Sequence, residues 1–360
     1  MSTAAVVNDL GYIFPKQGYD WNVWDMQLYK DRIYIGYGNS RNEGPSPNAG
    51  PITIMYLDTN TNKIVPNFVT DEEQVENFRI LDNRLYVPGT DIRSPVEQGN
   101  IYATQNDTWL RIGIIPGANH VFDLELMNGK LFAAISTSGV GPTVFVSEDM
   151  GKTWKPVVVQ AGSPYVSKMS RTYSLFNFKG NIYAATFLYN MSNVGEYNRI
   201  LVTDGVTAKT VKVTENSMFP GAPKGVMYRL MRPTVALDCI MYISGIFDLD
   251  YQWKPEGIYF APEINQARRI KLPEAEAQPM DILSRGDTVY VLANKKVTDK
   301  SYINVVYKTN NLSNWSEVLR FENDTFARSF EEAKGTFYFG MGCDSSFIAN
   351  STGKIVKVSI

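Results

Sequence analysis

The chain has 360 residues, a formal net charge of −2, 20% charged residues and 12% aromatics. It carries no basic run that would give nucleic acid an electrostatic footprint, and no apolar stretch reaches the roughly 18 to 20 residues a membrane-crossing helix needs. Two cysteines, Cys239 and Cys343, are too few for a disulfide framework in a chain this long and read as small buried hydrophobes.

From the N-terminus, MSTAAVVNDLGYIFP lacks the charged and apolar regions of a signal peptide. Synthesis in the cytoplasm is expected, with a virion or extracellular destination open to the finished protein. Residues 1–23 stand outside the repeat that follows, and are expected to pair beside the last unit or to cap it. Beyond them, an apolar residue precedes an aromatic one at Ile33–Tyr34, Leu85–Tyr86, Leu131–Phe132, Ile182–Tyr183, Met241–Tyr242, Val289–Tyr290 and Phe337–Tyr338. A spacing of about 50 residues with strand composition in each copy predicts a β-propeller.

Each unit begins with a hairpin turning at Gly, Asp or Asn, as in FDLELMNGKLFAAIS (122–136) and RSFEEAKGTFYFGMG (328–342). A second hairpin follows, at 51–68, 100–114, 143–158, 199–213, 257–272, 303–321 and 346–360. Four antiparallel strands per unit and almost no helical periodicity predict an all-β, seven-bladed β-propeller over residues 24–360.

Aligning the units on the aromatic pair places Asp25, Asn77, Asp123, Ser174, Pro233, Asp281 and Ser329 at one height of the inner strand. Two residues on stand Gln27, Arg79, Glu125, Phe176, Val235, Leu283 and Glu331, and the position between is almost wholly apolar. By the period of two, the polar positions are expected to line a central channel. Asp25, Asp123, Asp281, Glu125 and Glu331 against Arg79 would hydrogen-bond a sugar or hold a hydrated cation such as calcium, with Asp25, Asp123 and Asp281 as candidate ligands. Polar lining of a water-filled channel without a ligand is the competing reading, and no cofactor is required.

At the mouth the alignment gathers Arg232, Arg328 and Tyr173, with Arg171, Tyr228, Arg229 and the lone His120 on nearby loops. Converging arginines suit a carboxylate or phosphate. Long insertions at 38–50, 88–98, 187–198, 213–232 and 246–256 add Tyr189, Tyr197, Phe219, Tyr251 and Trp253 as candidate recognition aromatics.

The outer hairpin of the third unit reads Ser147-Glu-Asp149-Met-Gly151-Lys-Thr153-Trp154, which resembles the Asp-box, or BNR repeat, at every fixed position. Degenerate echoes occur at Asp107-Thr-Trp109 and Asn311-Leu-Ser-Asn-Trp315. The resemblance implies a propeller of sialidase-like architecture, in a superfamily of glycosidases and non-enzymatic binding and assembly proteins. A sialidase's arginine motif F-R-I-P finds only Phe78-Arg79-Ile80-Leu81, in the second unit, and seven units depart from the six blades usual for sialidases. The expected function is therefore a non-catalytic recognition or assembly propeller. It would bind a carbohydrate or a partner protein at the loop-rich mouth, as a surface or virion tail component or part of a larger complex. The alternative is a sialidase-like glycoside hydrolase using Asp123, Asp281 and Glu331.

Overall fold

The structure is a computed structural model. It describes residues 6–14, 22–40, 50–92, 98–137, 143–159, 170–188, 198–211, 215–223, 228–247, 253–344 and 348–359.

The chain forms two compact units, Met1–Phe78 with Lys271–Ile360, and Arg79–Ile270. The first holds three four-stranded antiparallel sheets. One runs through Val23–Tyr29, Arg32–Tyr37, Thr53–Asp58 and Lys63–Val69; a second through Gln278–Arg285, Thr288–Thr298, Ser301–Thr309 and Ser316–Asn323. The third orders Ala327–Ala333, Thr336–Met341 and Lys354–Ser359, and its outermost strand is the N-terminal Val6–Tyr12, paired antiparallel with Lys354–Ser359.

The second unit holds two such sheets. These are Arg79–Leu81, Arg84–Pro88, Gln98–Gln105 and Thr108–Pro116, and Tyr228–Ala236, Cys239–Phe247, Trp253–Ala261 and Arg268–Arg269. Between them in sequence lies a single nine-stranded sheet made from the third and fourth repeat units. The sheets are propeller blades, but the expectation of seven four-stranded blades is corrected: five stand as such. The cause is local. Ser136, at the end of Lys130–Thr137, pairs with Arg171, at the start of Ser170–Phe178, and Val158–Val159 pairs in parallel with Thr207–Ala208. Those bridges fuse two meanders into one sheet.

The tight turns follow from sequence. Both central residues take positive φ at Asp82–Asn83, Asn128–Gly129, Lys179–Gly180, Leu237–Asp238 and Lys334–Gly335, as the turns that match strand twist require. The apolar member of each aromatic pair is buried; Ile33, Leu85, Leu131, Ile182, Met241 and Val289 are fully inaccessible and Phe337 nearly so.

Six inner strands share an irregularity. The register slips between Val23 and Asp25, Val121 and Asp123, Thr172 and Ser174, Met231 and Thr234, Pro279 and Asp281, and Ala327 and Ser329. A bulge at this height bends the strand and re-aims the side chain it carries.

Candidate functional site

The re-aimed side chains clasp backbone. Asp123 accepts from its own neighbour Leu124 N with Oδ1 (2.9 Å) and from Leu175 N on the following inner strand with Oδ2 (2.8 Å). Asp281 repeats this with Ile282 N (2.9 Å) and Phe330 N (3.2 Å), and Asp25 Oδ2 accepts from Phe78 N (2.7 Å). Two residues further in, Glu125 takes Leu126 N (2.9 Å) and Asn177 N (3.3 Å), while Glu331 takes Glu332 N (2.7 Å) and Leu28 N (2.7 Å). Where the sequence has serine, the hydroxyl donates instead: Ser174 to Leu230 O and Ser329 to Val23 O.

Arginines complete two clasps. Arg79 binds Asp123 bidentately, with both contacts at 2.7 Å, and Arg285 pairs with Glu331. These carboxylates are almost fully buried, Asp123 and Glu331 at 1% exposure each. Burial raises the pKa of Glu125 and Glu331 above the ordinary carboxylate value. The alternation of two placed them in a channel, but the bulge turns them toward the next strand. Among the described residues, no group of three or more His, Cys, Asp or Glu side chains could hold a metal ion.

A different arrangement lies in the second unit, at the seam of the nine-stranded sheet. His120 on Ala118–Met127 stands directly opposite Ser136, which stands directly opposite Arg171. Directly opposed residues share a sheet face, so the three form one row across adjacent strands. His120 Nδ1 lies 2.6 Å from Thr90 O and 3.6 Å from Asp91 Oδ2. A carbonyl only accepts, so Nδ1 carries a proton. Burial and the Arg171 charge push the imidazole pKa down to about 4, leaving the ring neutral at pH 7 with a lone pair on Nε2. Its face stacks on Phe122 (centroids 5.1 Å), Phe122 meets Tyr173 (4.6 Å), and the Arg229 guanidinium sits 4.6 Å over Tyr173. Among the described residues the hydroxyls of Ser136 and Thr90, in residues 1% and 3% exposed, have no hydrogen-bond partner, and neither has Asn119 Oδ1. His120, Tyr173 and Arg171 were legible candidates. Ser136, Thr90 and Phe122 were not, because nothing in their sequence surroundings sets them apart from other strand-end residues.

The remaining candidates lie apart from this row. Arg328 lies in the first unit, over Trp24 (4.3 Å) and Phe326 (5.1 Å), and donates to Asn22 Oδ1 (3.0 Å) and Cys343 O (2.8 Å). Arg232 occupies the bulge of its strand at φ 51°. Tyr228 is buried, stacked on Phe219 at 4.8 Å, and donates its hydroxyl to Pro223 O. Tyr189, Tyr197 and Tyr251 lie outside the described residues, as does the side chain of Trp253.

The Ser147–Trp154 turn is built as its residues require. Ser147 Oγ accepts from Gly151 N (2.7 Å), and Asp149 accepts from Thr153 N (2.9 Å) and Thr153 Oγ1 (2.6 Å), which lowers its pKa to about 2. Gly151 takes φ 98°, and Trp154 Nε1 donates to Gly151 O (3.0 Å). The echo at Thr309–Asn311 uses the same device, with Asn311 Oδ1 accepting from Ser313 N and Asn314 N. A Tyr–Glu pair also exists: Tyr259 OH donates to Glu256 Oε2 (3.2 Å) beside Arg269. Its ring is fully buried beneath Phe219 and Tyr242, and burial raises the phenol pKa to about 12, the reverse of what a nucleophile needs.

No family model matches the chain, and no curated protein does. Solved structures do. The WD40 domain of Neurospora crassa Pan2 is similar over 100% of this chain and 97% of its own, with TM-score 0.58 and 12% identity. A chain of the mitotic checkpoint complex is similar over 99% and 95%, with TM-score 0.53 and 12% identity. The β-propeller domain of the trilobed protease from Pyrococcus furiosus is similar over 94% and 95%, with TM-score 0.53 and 9% identity. At such identities the likeness speaks for the fold alone: the chain is a β-propeller.

Proposed function

We propose that the chain is a non-catalytic recognition propeller that engages a partner protein through the part of its second unit that carries His120, Arg171 and Arg229. One observation carries this reading. The inner-strand carboxylates Asp123, Asp281 and Glu331, which hydrolysis would need free, already accept hydrogen bonds from backbone amides on both oxygens. Asp123, bound also by Arg79 on both oxygens, has its four acceptor sites filled, and Asp281 and Glu331 are buried at 5% and 1% exposure. The similar chain from the mitotic checkpoint complex is consistent with a propeller used for protein assembly. The Ser147–Trp154 turn supports placing the chain in the Asp-box superfamily, whose non-enzymatic members fit this reading better than its glycosidases do.

The test compares wild-type protein with Arg171→Glu/Arg229→Glu as bait for native complexes, alongside a glycan array and turnover assays on sialosides and neutral glycosides. Partner capture lost in the variant, with no turnover, is expected. Hydrolysis abolished by Asp123→Asn in a protein of unchanged melting temperature would refute the reading.

A further inference from the structure

Val6–Tyr12 is the outermost strand of its sheet and pairs, among the described residues, with Lys354–Ser359 alone. Its first four residues, Val6, Val7, Asn8 and Asp9, are all exposed, Val6 at 59% and Val7 at 46%. No other described strand has four exposed residues in a row. Adjacent strand residues point to opposite faces, so neither face of this arm enters a core. The arm is held by backbone hydrogen bonds with little apolar burial, the combination that gives a segment low local stability.

The strand's other end is anchored. Its register slips between Asp9 and Tyr12, where Gly11 takes φ 93° and donates its N–H to Asp9 Oδ1 (2.8 Å). A left-handed glycine in an irregular stretch interrupts the ladder without Cβ strain. Beyond it, Tyr12 OH donates to Asn350 O (2.5 Å) and Ile13 N to Gly353 O (3.1 Å). Ile13 is buried, and Phe14 meets the Tyr37 ring edge-on at 5.5 Å. On the arm itself the described side-chain hold is the pair of Lys354 Nζ with Asp9 Oδ2 (2.6 Å), a surface contact that contributes little in water. We propose that Val6–Asp9 is a strap that opens about Gly11 while Tyr12–Phe14 stays docked. Opening bares backbone N–H and C=O groups of Lys354–Ser359, so the device switches one blade between a covered and an open edge.

The neighbouring strand carries an internal control, because the amides of Ile355–Val358 face alternately the strap and Thr336–Met341. Hydrogen exchange of the full chain is followed by NMR, amide by amide, at low and high salt. Amides directed at the strap should exchange about a hundredfold faster than those directed at Thr336–Met341, and the Ile13 amide should exchange with the slow set. High salt or Asp9→Asn should speed the fast set about two- to fivefold and leave the slow set unchanged. Val6 and Ser359 stand directly opposite each other, so an oxidised Val6→Cys/Ser359→Cys variant should hold the strap shut. There the fast set should slow by about tenfold or more, and reduction should restore it. The wild-type pattern is decisive without either variant: a single rate for both sets, or an Ile13 amide that exchanges with the fast set, overturns the proposal. So does an oxidised variant whose fast set is unchanged.

Discussion

Asp123→Asn tests whether the inner-strand carboxylates are structural clasps. Asp123 accepts four hydrogen bonds, with Arg79 Nε and Leu124 N on Oδ1 and Arg79 Nη2 and Leu175 N on Oδ2. Asparagine preserves the volume but replaces one oxygen with an NH2 group. Whichever way it is turned, one Arg79 nitrogen and one backbone amide face a donor. Each charge-assisted bond contributes about 1.5 to 3 kcal/mol, so losing two costs about 3 to 6 kcal/mol. Arg79, 23% exposed, recovers part of its share from water, which puts the loss at the lower end, about 3 kcal/mol. With a specific unfolding entropy of about 2.1 cal/mol/K per residue, this lowers the melting temperature by about 4 °C if the whole chain unfolds together. Scanning calorimetry of wild type, Asp123→Asn and the control Asp299→Asn decides it. Asp299 is 95% exposed and paired with Lys296, so the control should move by about 1 °C or less. An Asp123→Asn protein that melts with the control refutes the clasp.

The sole histidine gives a second prediction: NMR titration of His120 should show a midpoint at about 4, with native stability complete above the unfolded value near 6.5 and declining as pH falls toward 4; a midpoint above 6 would overturn the described environment. Burial raises Glu331, so the native state holds a proton that the unfolded chain has released. Stability should therefore fall as pH rises from about 4.3 through the native pKa, and Glu331→Gln should flatten that slope in denaturant titrations. Asp149 is shifted the other way, to about 2. Its contribution is present above the unfolded value of about 3.9 and disappears as pH falls toward 2, an acid limb that Asp149→Asn should lack. Finally, a Cβ on Gly113 would meet Gly151 O at 2.1 Å and Trp154 Nε1 at 2.9 Å. Gly113→Ala should cost about 3 kcal/mol by urea melts, because a backbone oxygen cannot step aside; a cost below about 1 kcal/mol would mean the turn is not packed there.

The spacing of aromatic pairs located every inner hairpin, because strand length and turn chemistry are local and repeat with the chain. It did not reveal that two units share a sheet. That depends on Ser136 and Arg171 meeting at strand ends, a tertiary event with no periodic trace. The direction of the inner-strand carboxylates was hidden in the same way. Counting by twos from Asp123 and Glu125 assumes an unbroken pleat, and a bulge at each of six inner strands breaks it. The carboxylates do stand at equivalent places along their strands, and their partners include the amides of the next strand.

The two kinds of buried polar group differ in what their removal costs. Along the inner strands, burial is matched by full satisfaction: Asp123 and Glu331, each 1% exposed, use both oxygens. At the seam, Ser136 and Thr90 are almost as inaccessible, and among the described residues neither hydroxyl has a partner. Tyr86 OH, Asn323 Oδ1 and Asp324 Oδ1 are likewise buried without a hydrogen-bond partner among the described residues, so such atoms are not confined to the seam. Stability alone would replace the Ser136 and Thr90 hydroxyls with alanine and valine, so Ser136→Ala and Thr90→Val should melt no lower than wild type. If instead both variants melt several degrees lower, the hydroxyls have partners and the seam is structural, as the carboxylate clasps are.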